Sequence, residues 1–247
     1  MRIRSAAIAA CVLAVAGAAG VALPAVMPPS ASSIPPAAAP SAAQASAPMP
    51  DRAAAQLALG APPVTKTGAL TMLAALKTSA PSAMSGYSQA KFPHWRSAAA
   101  NGWTGVPNKR CDARGAALYR DGANVTSTPA CTNLRGSWLD PYTAVRVTSA
   151  SGVAIDHLVP LAEAWRSGAS SWTAARRTAY ANDPLELVSA KTSVNSAKGD
   201  KDPAAWKPPN QAAWCGYAKR WVQVKTKYGL TADPAEKTAL AAMLARC

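Results

Sequence analysis

The sequence predicts an α+β domain, and three observations carry that prediction. A strand pattern at Thr143–Thr148 resumes at Val153–Asp156 and ends on an Asp-His pair. Helical spacing takes over after Pro160 and returns four times before the C-terminus. Beyond residue 100 there are four cysteines, Cys111, Cys131, Cys215 and Cys247. The expected fold is two short strands and a polar helix around the Asp-His pair, with added helices and disulfides.

The 247 residues divide unevenly. Met1-Arg2-Ile3-Arg4 followed by the apolar run Ala7–Ala19 reads as a basic n-region and an h-region too short to span a bilayer comfortably. Residues 1–25 are therefore expected to be a signal peptide, with an uncleaved signal anchor as the lesser alternative. Cys11 falls inside the apolar run, not after it, which argues against a lipoprotein. Residues 26–82 are expected to form a tether. Up to Pro50 they are rich in Ala, Pro and Ser, a composition that buries too little apolar surface to offset its ordering entropy. From Asp51 to about Ser82 helical character appears, at Ala53–Leu57 and Leu70–Leu73, leaving open whether this part packs on the domain or stays mobile. Residues 83–247 suit one compact domain.

An even number of cysteines in an exported chain favours disulfides. Three pairings are possible; the local ones, Cys111–Cys131 and Cys215–Cys247, are preferred here. A four-cysteine zinc site lacks any C-x-x-C pair. Charge points outward. Of 26 Lys and Arg, Arg2 and Arg4 lie in the leader, and residues 1–50 contain no acid, so 24 basic against 12 acidic residues leave +12. Such an excess favours a polyanionic partner, nucleic acid or an acidic cell surface. Eight tryptophans against the single Phe92 read mainly as core residues.

Element by element, residues 87–141 read as loops and short strands, rich in Gly, Asn, Asp and Pro. Thr143–Thr148 and Val153–Asp156, joined at Ser151-Gly152, read as a hairpin. Helices are expected at Leu161–Trp165 and at Trp172–Ala181, the latter capped by Ser171. Leu185–Val188 reads as extended. Thr192 or Ser193 is expected to cap a short helix bearing Asn195 and Lys198 and stopping at Gly199. Two further helices are expected, Gln211–Tyr228 and Pro234–Ala245, the second capped by Asp233 with Pro234 at its first position.

The chemistry gathers at Asp156-His157. A carboxylate can hold a hard divalent cation, while an imidazole beside it takes a proton from water. Asn195 comes 38 residues after the histidine. A strand, a connection, a strand and a helix would return it opposite Asp156, where its amide oxygen is a second oxygen ligand. Lys198, one turn on, is a candidate phosphate contact. Arg176 and Arg177, between the strands, are candidates for binding the scissile phosphate, with a solvated helix face as the alternative. Glu163 reads as a surface group by default, and His94 as packed. Lys219, Arg220, Lys225 and Lys227 suggest a basic stripe along one helix suited to a DNA backbone, with a solvated face as the alternative.

The segments Asp156-His157-Leu158-Val159-Pro160, Ser167-Gly168-Ala169, Ala181-Asn182-Asp183 and Asn195 through Pro203 resemble the secreted HNH nuclease family. That family is related to the C-terminal nuclease domain of GmrSD-type restriction enzymes. Cys111–Arg114, Gly136–Trp138 and Asp140–Tyr142 extend the resemblance outward. It implies a ββα-metal, or His-Me finger, core that cuts DNA and sometimes RNA with one divalent cation, Mg²⁺ before Mn²⁺. By matching positions, His157 is the general base and Asp156 and Asn195 the metal ligands. Arg114 is a cleft-lining phosphate binder on resemblance alone. The family's middle Asn, which braces the histidine's loop, is replaced here by Glu186. With His157 and Lys198, Glu186 completes the catalytic candidates. An ionised Glu accepts hydrogen bonds but donates none. That departure favours a rival expectation, an exported binding protein with a decayed site.

Overall fold

The computed structural model describes residues 55–108 and 110–247 together with Arg52. The expected signal peptide, residues 1–25, and the Ala/Pro/Ser-rich part of the tether lie outside the described residues, as do Ala53 and Ala54.

The centre is a two-stranded antiparallel ribbon. β4 (Val153–His157) pairs with β5 (Leu187–Lys191), with Asp156 opposite Val188 and His157 opposite Leu187. β5 runs directly into helix α5 (Thr192–Lys198). Strand side chains alternate faces, and the alternation sorts the ribbon between two apolar clusters. Val153, Ile155 and Leu187 join Trp103, Leu118 and Trp138 on one side. Val188 and Ala190 face Leu158, Tyr217 and Trp221 on the other. Asp156 belongs to this second side, under α5.

The three-stranded sheet β1 (Gly122–Thr126), β2 (Arg135–Leu139) and β3 (Arg146–Val147) precedes the ribbon. Here the expected hairpin is corrected. Only Arg146–Val147 of the Thr143–Thr148 run is a strand, and it pairs with β2. Residues 140–145 are turned on themselves: Asp140 N–H reaches Val145 O, Ala144 N–H reaches Asp140 O, and Ala144 takes a positive φ of 61°. β4 is free to take β5 as its partner, and burial on both faces makes that pairing the more favourable one.

Helix α2 (Ala113–Asp121) packs against β5 and was not expected. Asp112 caps it by accepting from Gly115 N–H, and Gly115 allows a close approach, since a Cβ there would lie 2.9 Å from Cys131 Cβ. Between the strands of the ribbon lie α3 (Leu161–Arg166) and α4 (Ala174–Ala181). α4 begins later than expected, with Thr173 as its cap in place of Ser171. The long α6 (Trp214–Tyr228) and α7 (Pro234–Leu244) close the body, α7 capped by Asp233 as expected.

Helix α1 (Lys66–Ala75) packs on α6 and α7, and Leu57, Ala69, Leu73 and Leu76 are buried with them. Of the two alternatives for the segment before residue 83, packing is the one observed. The folded body therefore begins before that position. Disulfides join Cys111 to Cys131 and Cys215 to Cys247, the preferred pairings.

Candidate active site

β4 delivers Asp156 and His157 to one end of the ribbon, where the chain leaves the strand and turns at Pro160. Gly199, at φ 57°, ends α5 and leaves Asn195 one turn back. Asp156, His157 and Asn195 thereby line one open cleft of about 350 Å³, along with Tyr87, His94 and Trp95. The expected strand, connection, strand and helix does bring Asn195 back to Asp156's side.

Each group has defined partners. Asp156 is buried, accepting from Lys198 Nζ at 2.8 Å on Oδ1 and from Tyr142 Oη at 2.6 Å on Oδ2. His157 Nε2 lies 3.0 Å from Ala181 O. A carbonyl only accepts, so Nε2 carries the hydrogen and Nδ1 keeps the lone pair. Burial pushes the imidazole pKa down to about 3 against the upward pull of that carbonyl, with His94 and Lys198 lowering it further. The ring is neutral at physiological pH, the form able to accept a proton. Asn195 has no side-chain hydrogen bond among the described residues, which leaves its amide oxygen free.

Glu186 occupies the bracing position and does brace. Its Oε1 accepts from Val159 N–H at 3.0 Å, while its backbone carbonyl accepts from Leu158 N–H at 2.9 Å. The two residues after His157 are thus held by one residue. Oε1 also lies 2.9 Å from Tyr180 Oη, which in turn is 2.5 Å from Val159 O. The Tyr180 hydroxyl thus donates toward both oxygens. Burial holds the Glu186 pKa well above the usual carboxylate range, which favours the neutral form of the carboxyl. Oε2 has no partner among the described residues, an arrangement tolerable for a neutral acid and costly for an anion. In its neutral form a Glu carboxyl can donate as an Asn amide does.

Other expected site residues are placed elsewhere. Lys198 is fully buried, its amine on Asp156 and on His157 O at 2.9 Å, so it faces inward and not toward a phosphate. Arg114 donates to Val153 O and lines a separate hollow. Arg176 donates to Tyr228 O and lies over Trp172. Arg177 ties Lys91 O and Trp172 O. None of these three arginines lines the His157 cleft. The basic stripe on α6 is also corrected. Arg220 is buried against the carbonyls of Leu57, Leu59, Pro184, Leu185 and Leu187, and Lys225 is buried between Glu163 and Glu236. Glu163 is accordingly no surface residue. The Asn182 side chain bonds Arg96 N–H, Pro93 O and Thr178 O.

Tyr142, Tyr180 and the Ala181 carbonyl belong to the site without being marked as such by the sequence pattern. The only signal for Tyr142 was its place in Asp140-Pro141-Tyr142. Among the described residues no group of three or more His, Cys, Asp and Glu gathers into a metal cage. A cation in this cleft would draw on two hard oxygens, one from Asp156 and one from Asn195, with water completing its shell. That donor set fits Mg²⁺, which keeps several waters, better than zinc.

An antiparallel ribbon continued at once by a helix, with Asp-His closing the first strand and Asn on the helix, defines an HNH-type ββα unit. The chain matches the family of GmrSD restriction endonuclease C-terminal domains over residues 116–243, more than half its length. It belongs to that family. A protein of Arthroderma benhamiae (strain ATCC MYA-4681 / CBS 112371), named "Uncharacterized secreted protein", is 44% identical over 164 residues, covering 66% of this chain and 76% of that one. No solved structure matches. Among the described residues no helix is long and apolar enough to cross a membrane.

Proposed function

We propose that this chain is a secreted, divalent-metal-dependent endonuclease that hydrolyses phosphodiester bonds in DNA with little sequence preference, RNA being a second substrate to test. The observation that carries the reading is the His157 imidazole, its Nε2 on Ala181 O and its Nδ1 without a partner among the described residues, in a cleft shared with Asp156 and Asn195. Export is supported by the secreted relative and the two disulfides.

In this mechanism His157 Nδ1 takes the proton of the attacking water, and the Ala181 carbonyl steadies the imidazolium that forms. Asp156 and Asn195 would hold one divalent cation, which when bound supplies charge stabilisation at the phosphate and leaving oxygen. Tyr142 and Lys198 fix the Asp156 carboxylate, so its direction is set before substrate arrives. Glu186 and Tyr180 hold the loop that carries His157 into the cleft. The net charge supports phosphate-backbone binding without base readout, and a monomer suffices.

The test is supercoiled plasmid incubated with purified protein in Mg²⁺ or Mn²⁺, with and without chelator. Conversion to nicked and linear forms that stops with chelator is expected. Intact plasmid across several divalent metals rejects the reading; retention of plasmid without cleavage, weakening with salt, would favour a binding protein instead.

A further inference from the structure

Neither His94 nor Trp95 has a part in the chemistry assigned to Asp156, His157 and Asn195, yet both line the same cleft. The Trp95 indole lies nearly parallel to the His157 imidazole, ring centroids 6.1 Å apart at 27°. His94 stands edge-on to Trp95 at 4.8 Å and 86°, its Nδ1 on Phe92 O at 2.8 Å. Trp95 holds φ at 58°, a left-handed backbone that bulky side chains rarely adopt. Such a conformation persists where its surroundings over-determine it, and it concentrates at functional sites.

Backbone bonds hold the chain beyond Trp95, with Ala113 N–H on Arg96 O at 2.9 Å, and a single side chain grips both sides of the His94-Trp95 pair. Asn182, fully buried, accepts from Arg96 N–H at 2.8 Å and donates to Pro93 O at 2.9 Å. The two bonds grip the chain immediately before His94 and immediately after Trp95. A third, to Thr178 O at 2.7 Å, anchors Asn182 to α4. The neighbouring residue, Ala181, is the one whose carbonyl holds His157 Nε2. The C-terminal end of α4 therefore fixes the imidazole at its ring nitrogen and, through Asn182, the indole that covers its face.

We propose that Trp95, presented by Asn182, is the positioning residue of His157. It restricts the rotation of the imidazole about its side-chain bonds, leaving Nδ1 in one direction. A tryptophan merely filling the core would sit in relaxed backbone away from the cleft, and Trp138, fully buried and bonded to Leu118 O, is such a residue. The catalytic part of this inference rests on the nuclease reading of the cleft, and the structural part does not.

The test pairs kinetics with an activity-independent readout on the full chain. With only two histidines in the sequence, the imidazole carbon-bound protons give two assignable sets of NMR signals, and His94→Gln identifies which belongs to His157. Trp95→Leu should remove the ring-current displacement of the His157 signals. It should also lower kcat about tenfold to a hundredfold, with KM changed less than about threefold, as expected when a reacting group is misaimed. Trp95→Phe should restore most of kcat and part of the displacement. Should Trp95→Leu fail to fold, Trp95→Phe alone decides, since its smaller ring must reduce the displacement. Unmoved His157 signals, or wild-type kcat in folded Trp95→Leu, overturn the proposal. Displaced signals in a wild type that cleaves nothing support the positioning while rejecting the nuclease reading.

Discussion

Lys198 Nζ lies 2.8 Å from Asp156 Oδ1, with both side chains almost wholly removed from solvent. The pair links α5 to the end of β4, tying the helix that carries Asn195 to the strand that carries His157. The attraction within a buried pair of this kind is largely offset by desolvation, whereas removing one partner leaves an uncompensated charge in the interior. Lys198→Met should therefore destabilise the fold by about 3–5 kcal/mol. Urea denaturation measures this, and a loss below about 1 kcal/mol would contradict it.

Glu186 yields a sharper contrast. Glu186→Gln keeps a neutral side chain with one acceptor and a donor, so stability and plasmid cleavage should stay near wild type. Glu186→Leu strands the buried Val159 N–H and should cost about 1–3 kcal/mol, with a fall in cleavage. Equal behaviour of the two variants would show that the carboxyl does not brace the loop.

Distance along the chain separates the features legible in the sequence from those hidden in it. Asp156-His157, the α5 helix and its stop at Gly199 depend on neighbours within a few residues and are legible, whereas the expected cap, Thr192 or Ser193, is corrected to Lys191, which makes no side-chain cap bond. The pairing of β4 with β5 spans more than thirty residues; a nearer extended run at Thr143–Thr148 competed for the same strand. Lys198, Arg220 and Lys225 give no sequence sign of burial, because long basic side chains usually face solvent. Their burial depends on carboxylates and free carbonyls supplied by distant segments. Helix α2 was hidden by Gly115, a weak helix former kept by its contact with Cys131.

Glu236 provides a pH dependence. Burial, with Glu163 nearby, raises its pKa to about 7 despite Lys225 and Trp221. A carboxyl whose folded pKa is raised binds its proton more tightly in the folded state. Its contribution is thus most favourable below the unfolded value and is lost as pH rises through about 7. The melting temperature should fall as pH rises from about 5 to about 8, and Glu236→Gln should flatten that slope. Calorimetry across the range checks it, and an unchanged slope in the variant would refute the assignment.

The Cys215–Cys247 disulfide ties the last residue to the start of α6 across 32 positions. Cys215→Ser with Cys247→Ser should lower stability by about 3 kcal/mol, measured by denaturation without reductant. Plasmid cleavage per folded molecule should be preserved, because neither cysteine lines the His157 cleft.

The central claim is that His157 takes a proton in a metal-assisted hydrolysis. Plasmid cleavage by folded His157→Ala, compared with wild type at saturating Mg²⁺ and with added imidazole, tests it most directly. The expected rate is lower by about 10²–10⁴-fold and partly restored by imidazole. Cleavage by His157→Ala at the wild-type rate would contradict the account.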